Sequence, residues 1–86
     1  MLKADYHRDF KKDFKKLHPQ EKERFQKKFL TFLQNPQNPE LRDHALKGLL
    51  RGKRSFSITG DVRVIYRYLD KNSIILLRIG THNQVY

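Results

Sequence analysis

The side chains able to carry chemistry gather toward the end of this chain. His82 follows Gly80-Thr81, just past a segment that reads as a strand, and Tyr86 stands four residues further on. Arg63, Arg67 and Arg78 lie in the two apolar segments that precede them. An imidazole can give or take a proton near neutral pH, while a guanidinium forks onto phosphate oxygens and also stacks on bases. That mixture suits RNA as a partner. Taken singly, Arg63 and Arg78 read as ordinary outward strand residues, so the grouping carries the suggestion. His44 follows Asp43 in a polar stretch, an ambiguous pair, whereas His7 and His18 stand among lysines and read as surface residues. No His, Asp and Glu set has ligand spacing such as HExxH, so neither a metal nor a cofactor is expected.

The elements that must position these groups fall into a helical half and a strand half. Over residues 6–17, Tyr6, Phe10, Phe14 and Leu17 recur at helical spacing, with lysines on the flanking and opposite faces. Pro19 breaks this helix and opens a second, in which Phe25, Phe29, Phe32 and Leu33 form one apolar stripe. Asn35-Pro36 and Asn38-Pro39 end it. Residues 41–51 predict only a loop. Residues 54–59, 62–69 and 73–79 then read as three strands joined by turns at Gly60-Asp61 and Asp70-Lys71-Asn72, an antiparallel meander that a short strand at 2–4 could join. Alternation puts Arg63, Ile65 and Arg67 on one face of the middle strand, with Val62, Val64, Tyr66 and Tyr68 on the other. In the last strand it groups Ile74, Leu76 and Arg78 against Ile75, Leu77 and Ile79.

Composition bounds the function. Eighty-six residues suit a single domain over 1–86 with a modest core. Nineteen Lys and Arg against nine Asp and Glu leave a net charge of +10, which favours polyanionic partners. There is no cysteine, so disulfides and the common zinc sites are excluded. The first residues carry no apolar signal core and no run is long enough to span a bilayer, so the expectation is a cytoplasmic protein without a membrane partner.

Four pieces in this order, Asp43-His44-Ala45-Leu46-Lys47-Gly48, Gly52-Lys53-Arg54, Gly60-Asp61-Val62-Arg63-Val64-Ile65-Tyr66 and Arg78-Ile79-Gly80-Thr81-His82, resemble the RelE/ParE toxin superfamily, and within it the YafQ-type mRNA interferases. The resemblance implies an α+β fold with two N-terminal helices packed on a twisted antiparallel sheet of three to four strands. It implies a type II toxin–antitoxin toxin that cuts mRNA in the ribosomal decoding site without metal. Its implied partners are a cognate acidic antitoxin, the ribosome and mRNA, with operator DNA reached only through the antitoxin. His44, Asp61, Arg78 and His82 fall on positions that YafQ-like enzymes use for catalysis, Arg63 matches the strand arginine of RelE, and Arg54, Arg67 and Tyr86 are expected to contact substrate. One departure is Ser57, where YafQ has a further histidine. The roles implied are His82 as acid, Asp61 or His44 as base, and Arg63 and Arg78 on the phosphate. The rival readings are a ParE-like gyrase inhibitor without nuclease activity and a non-catalytic RNA-binding relative.

Overall fold

The computed structural model describes residues 2–86. Its elements run β1 (Lys3–Tyr6), α1 (Arg8–Lys15), α2 (Pro19–Gln34), β2 (His44–Ala45), β3 (Arg54–Ser57), β4 (Val62–Asp70), β5 (Ser73–Thr81) and α3 (His82–Val85), with 3-10 turns at Pro39–Leu41 and Gly48–Leu50. The strands form one sheet in the order β1-β5-β4-β3-β2.

Local chemistry explains the helix ends. His7 caps α1, its Nδ1 accepting from the Asp9 N–H at 3.0 Å. The Glu21 carboxylate accepts from the His18 N–H at 2.9 Å, and Pro19 occupies the first turn of α2, where a missing N–H removes nothing. Asn35 and Asn38 each accept from the N–H two residues on, which turns the chain away from α2.

All six phenylalanines join one aromatic run through the core. Phe14 and Phe10 stack at 6.0 Å between centroids, Phe10 meets Phe25 at 5.7 Å, and Phe25, Phe29 and Phe32 follow along α2. Phe32 then stacks on Phe56 of β3 at 4.4 Å and meets Tyr66 of β4 edge-on at 5.0 Å. Val62, Val64, Tyr66, Ile74, Leu76 and Ile79 complete this core on the helix side of the sheet. Burying each large side chain contributes about 1.5–3 kcal/mol, so the phenylalanine stripe is what welds helices to sheet.

Four sequence expectations change. The sheet has five strands and is mixed, because β1 runs parallel to β5, with Lys3 beside Ser73 and Tyr6 beside Leu76. Tyr6 therefore ends a strand, and the first helix starts only at Arg8. The stretch 41–51 contains β2, and a short helix, α3, follows β5. Finally, alternation fails along β5. Ile65 pairs with Arg78 while Tyr66 pairs with Leu76, so Leu77 is an extra, bulged residue. The bulge places Ile74, Leu76 and Ile79 together in the core and turns Arg78 to the other face. Among the described residues no helix is long and apolar enough to cross a membrane.

Candidate active site

The sheet face away from α2 is ordered by strand register. His44 of β2 pairs with Ser55, Ser55 with Ile65, and Ile65 with Arg78, which makes one row across four strands. A second row runs Ser57, Arg63, Gly80. Strand spacing of about 4.8 Å puts the ends of the first row roughly 14 Å apart. His44 thus shares a face with the arginines but stands at its far edge.

At the other end, Gly60, Asp61, Arg63, Thr81, His82 and Asn83 line one open depression. Thr59 Oγ1 accepts from the N–H groups of Asp61 at 3.2 Å and Val62 at 3.0 Å, which shapes the turn carrying Asp61. The Arg63 Nη1 donates to Ser57 Oγ at 3.2 Å, which holds the half-buried arginine through one of its five N–H groups. Ser57, the departure from the YafQ pattern, is therefore a partner of Arg63. His82 opens α3, whose start is fixed by Gln84 Oε1 accepting from the Thr81 N–H at 2.9 Å. The Tyr86 N–H donates back to the His82 carbonyl at 3.0 Å, and the two rings meet edge-to-face at 4.2 Å between centroids. Three of the sequence-derived residues, Asp61, Arg63 and His82, so converge, with Tyr86 against the imidazole.

Arg78 is placed differently from expectation. Its Nε donates to Asp13 Oδ2 at 2.6 Å and its Nη2 to Asp13 Oδ1 at 3.2 Å and to the Gln84 carbonyl at 3.4 Å. The hydrogen bond from Asp13 raises its already high pKa and outweighs partial desolvation. Much of this guanidinium is thus committed to joining α1, β5 and α3. Arg67 is exposed and lines a neighbouring depression with Lys53, Ile65, Leu77, Arg78 and Val85.

Arg54 stands on the opposite face, paired with Tyr66. Its Nε and Nη2 reach Asp43 Oδ1 at 2.8 and 2.7 Å, and the Tyr66 hydroxyl donates to Asp43 Oδ2. The sequence presents Arg54 as a substrate contact and Asp43 only as an ambiguous neighbour of His44, and it does not single out Asp13. Asp13 did carry a signal, as an acid among lysines three residues after the inward Phe10. Among the described residues, no three His, Cys, Asp or Glu side chains are grouped to hold a metal ion.

Two helices and an aromatic core on one side of a five-stranded sheet, with arginines and an imidazole on the other, define a RelE-like toxin fold. The family described as "Bacterial toxin of type II toxin-antitoxin system, YafQ" matches residues 2–86, and the chain belongs to that family. It is similar to YafQ from Escherichia coli strain BL21(DE3), at 26% identity over 100% of this chain and 99% of that one, with a TM-score of 0.80. A copper-bound mutant toxin from Helicobacter pylori shares 30% identity over the whole of both chains, with a TM-score of 0.77. The E. coli DinJ–YafQ toxin–antitoxin complex matches at 26% identity over 99% of this chain and 97% of that one, with a TM-score of 0.78. The comparison with curated proteins found no match.

Proposed function

We propose that this type II toxin is a metal-independent endoribonuclease that cuts mRNA in the ribosomal decoding site and so stops translation in the cytoplasm. The observation that carries the reading is the convergence of Asp61, Arg63 and His82 on one depression, with Tyr86 against His82. A base takes the proton of the 2′-hydroxyl, the 2′-oxygen attacks phosphorus, and the bond from phosphorus to the 5′-oxygen breaks. The products are a 2′,3′-cyclic phosphate and a 5′-hydroxyl end. His82 protonates the departing 5′-oxygen, Asp61 or His44 acts as base, and Arg63 stabilises the crowded phosphorane. Arg78 supports the α3 turn and adds positive potential, while Arg67 and Tyr86 hold the RNA. A net charge of +10 suits both the ribosome and an acidic antitoxin. The DinJ–YafQ complex supports a cognate antitoxin as partner. In this reading the antitoxin is acidic, and operator DNA is contacted only through it.

Mapping mRNA ends in cells expressing the chain tests this reading. Cleaved transcripts and growth arrest are expected from the wild type, and neither from a folded His82→Ala protein, since a positioned proton donor is worth about 10²–10⁴ in rate. Full toxicity in His82→Ala would remove His82 from the mechanism. Filamentous cells with DNA breaks and intact transcripts would instead indicate a gyrase-directed toxin.

A further inference from the structure

We propose that Asp43, clamped by Arg54 and Tyr66, is a positioning residue that holds His44 in one tautomer, with Nδ1 protonated and the Nε2 lone pair turned outward. The consequence for catalysis rests on the nuclease reading above with His44 as its base, but the tautomer itself does not.

The anchor is a buried carboxylate with both oxygens engaged. The Asp43 side chain is 8% exposed, Arg54 donates to Oδ1 through Nε and Nη2, and the fully buried Tyr66 donates to Oδ2. A carboxylate bonded on both oxygens in a desolvated pocket cannot rotate without leaving charged donors unpaired. Asp43 immediately precedes β2, which is only two residues long and is held by the pairs His44–Ser55 and Ala45–Arg54. Arg54 therefore holds this short strand both through its backbone and through its side chain. Alternation then sends Asp43 toward the helix side and His44 toward the face that carries Arg63.

The residue on the other side of Asp43 completes the device. Arg42 has φ 51° and ψ 39°, and among the described residues it is the one non-glycine with positive φ. Side-chain-bearing residues seldom adopt this left-handed conformation unless their surroundings impose it. Here it turns the Arg42 carbonyl to within 3.0 Å of His44 Nδ1. A carbonyl oxygen can only accept, so Nδ1 must carry the proton, and in the neutral ring Nε2 keeps its lone pair. Nε2 is then the nitrogen able to take a proton from a hydroxyl. A solvated imidazole prefers the other tautomer, so the observed arrangement depends on Arg42 being held in place, and Asp43 is what holds its neighbour.

Long-range proton–nitrogen correlation spectra of the ¹⁵N-labelled full chain, recorded where the imidazoles are neutral, read the tautomer directly. The expected result is an Nδ1–H tautomer for His44 in the wild type. In Asp43→Asn and in Tyr66→Phe it gives way to Nε2–H, with the His82 signals unchanged. Tyr66→Phe keeps its ring in the core and carries the test if Asp43→Asn does not fold. In the cleavage assay both variants should lose about tenfold in kcat with little change in KM, and the acid limb of the pH profile should move. An Nε2–H tautomer in the wild type, or Nδ1–H retained in the folded variants, overturns the proposal. A wild type that cleaves no RNA yet loses Nδ1–H in the variants defeats the nuclease reading and leaves this inference standing.

Discussion

The Arg78 guanidinium donates through Nε to Asp13 at 2.6 Å, joining α1 to β5 across 65 positions of the chain. The same carboxylate accepts from the Ile79 N–H at 3.1 Å, just past the bulge at Leu77. Asp13 thus closes the edge of β5 beyond the reach of β1, whose pairing ends at Leu76. Asp13→Ala should lower stability by about 1–2 kcal/mol. The estimate sits toward the low end for charged hydrogen bonds because the Arg78 side chain is 39% exposed and partly screened. Asp13→Asn, which keeps an acceptor for the Ile79 N–H, should lose less. Denaturant unfolding of the two variants, of Arg78→Ala and of the double variant Asp13→Ala/Arg78→Ala measures this, and additive effects of the Asp13 and Arg78 changes would refute the coupling.

Tyr66 makes stability depend on pH at the alkaline end. Burial first, then the hydrogen bond to the Asp43 carboxylate, raise its hydroxyl well above the ordinary value of 10.0. The folded state therefore holds the phenolic proton more tightly than the unfolded chain does. Its contribution is complete below pH 10 and declines as pH rises from there toward the folded value. Lysines titrate in the same range, so the informative quantity is the wild-type stability minus that of Tyr66→Phe. This difference should be flat up to about pH 9.5 and then shrink by up to about 1.4 kcal/mol per pH unit. A difference that stays constant to about pH 11 would show that Tyr66 ionises as easily when folded as when unfolded.

Particular residues show how much of this was legible in the sequence. The phenylalanine stripe and the alternation of Val62, Val64 and Tyr66 against Arg63, Ile65 and Arg67 follow from local periodicity, and the structure keeps both. Arg78 did not follow, because one inserted residue at Leu77 reverses every side chain beyond it, and no composition rule marks a bulge inside an apolar run. β2 gives no signal because two residues carry no period, whereas a first strand is expected at 2–4 and found at Lys3–Tyr6, its parallel direction set by a partner about 70 residues away. The motif residues Asp61, Arg63 and His82 were named from their resemblance to a family, and the turn at Thr59 and the α3 cap bring them together. The pairing of Arg54 is not legible locally, because its anion, Asp43, lies eleven positions earlier on a neighbouring segment.

Ser55 offers a test on stability alone. Its side chain is fully buried between His44 and Ile65 in register, and its hydroxyl has no hydrogen-bond partner among the described residues. An unpaired buried hydroxyl is desolvated without return, which costs about 1–3 kcal/mol. Ser55→Ala should therefore be neutral or stabilising by about 1 kcal/mol, where most buried substitutions destabilise. Thermal and denaturant unfolding would show it, and a loss above about 1 kcal/mol would mean that the hydroxyl has a partner in solution.

Gly80 links the sheet to His82 through available space. A Cβ placed there would lie 2.7 Å from Gln84 Oε1 and 3.2 Å from Val85 Cγ1. Gln84 cannot simply swing aside, because the same oxygen accepts from the Thr81 N–H and fixes the start of α3. In Gly80→Ala the short helix must lift, and His82 and Tyr86 move with it away from Arg63, which lies directly across the strands from Gly80. The stability loss should be about 1–3 kcal/mol, typical of overfilling a packed site. Gly60→Ala is the stability control, since its Cβ would meet nothing within 4 Å. RNA cleavage by Gly80→Ala should fall by at least tenfold under conditions where the protein remains folded, as a displacement of about 1 Å at a reacting group can cost about 10² in rate. Full cleavage by folded Gly80→Ala would show that the position of α3 does not matter, and would remove His82 from the reacting groups.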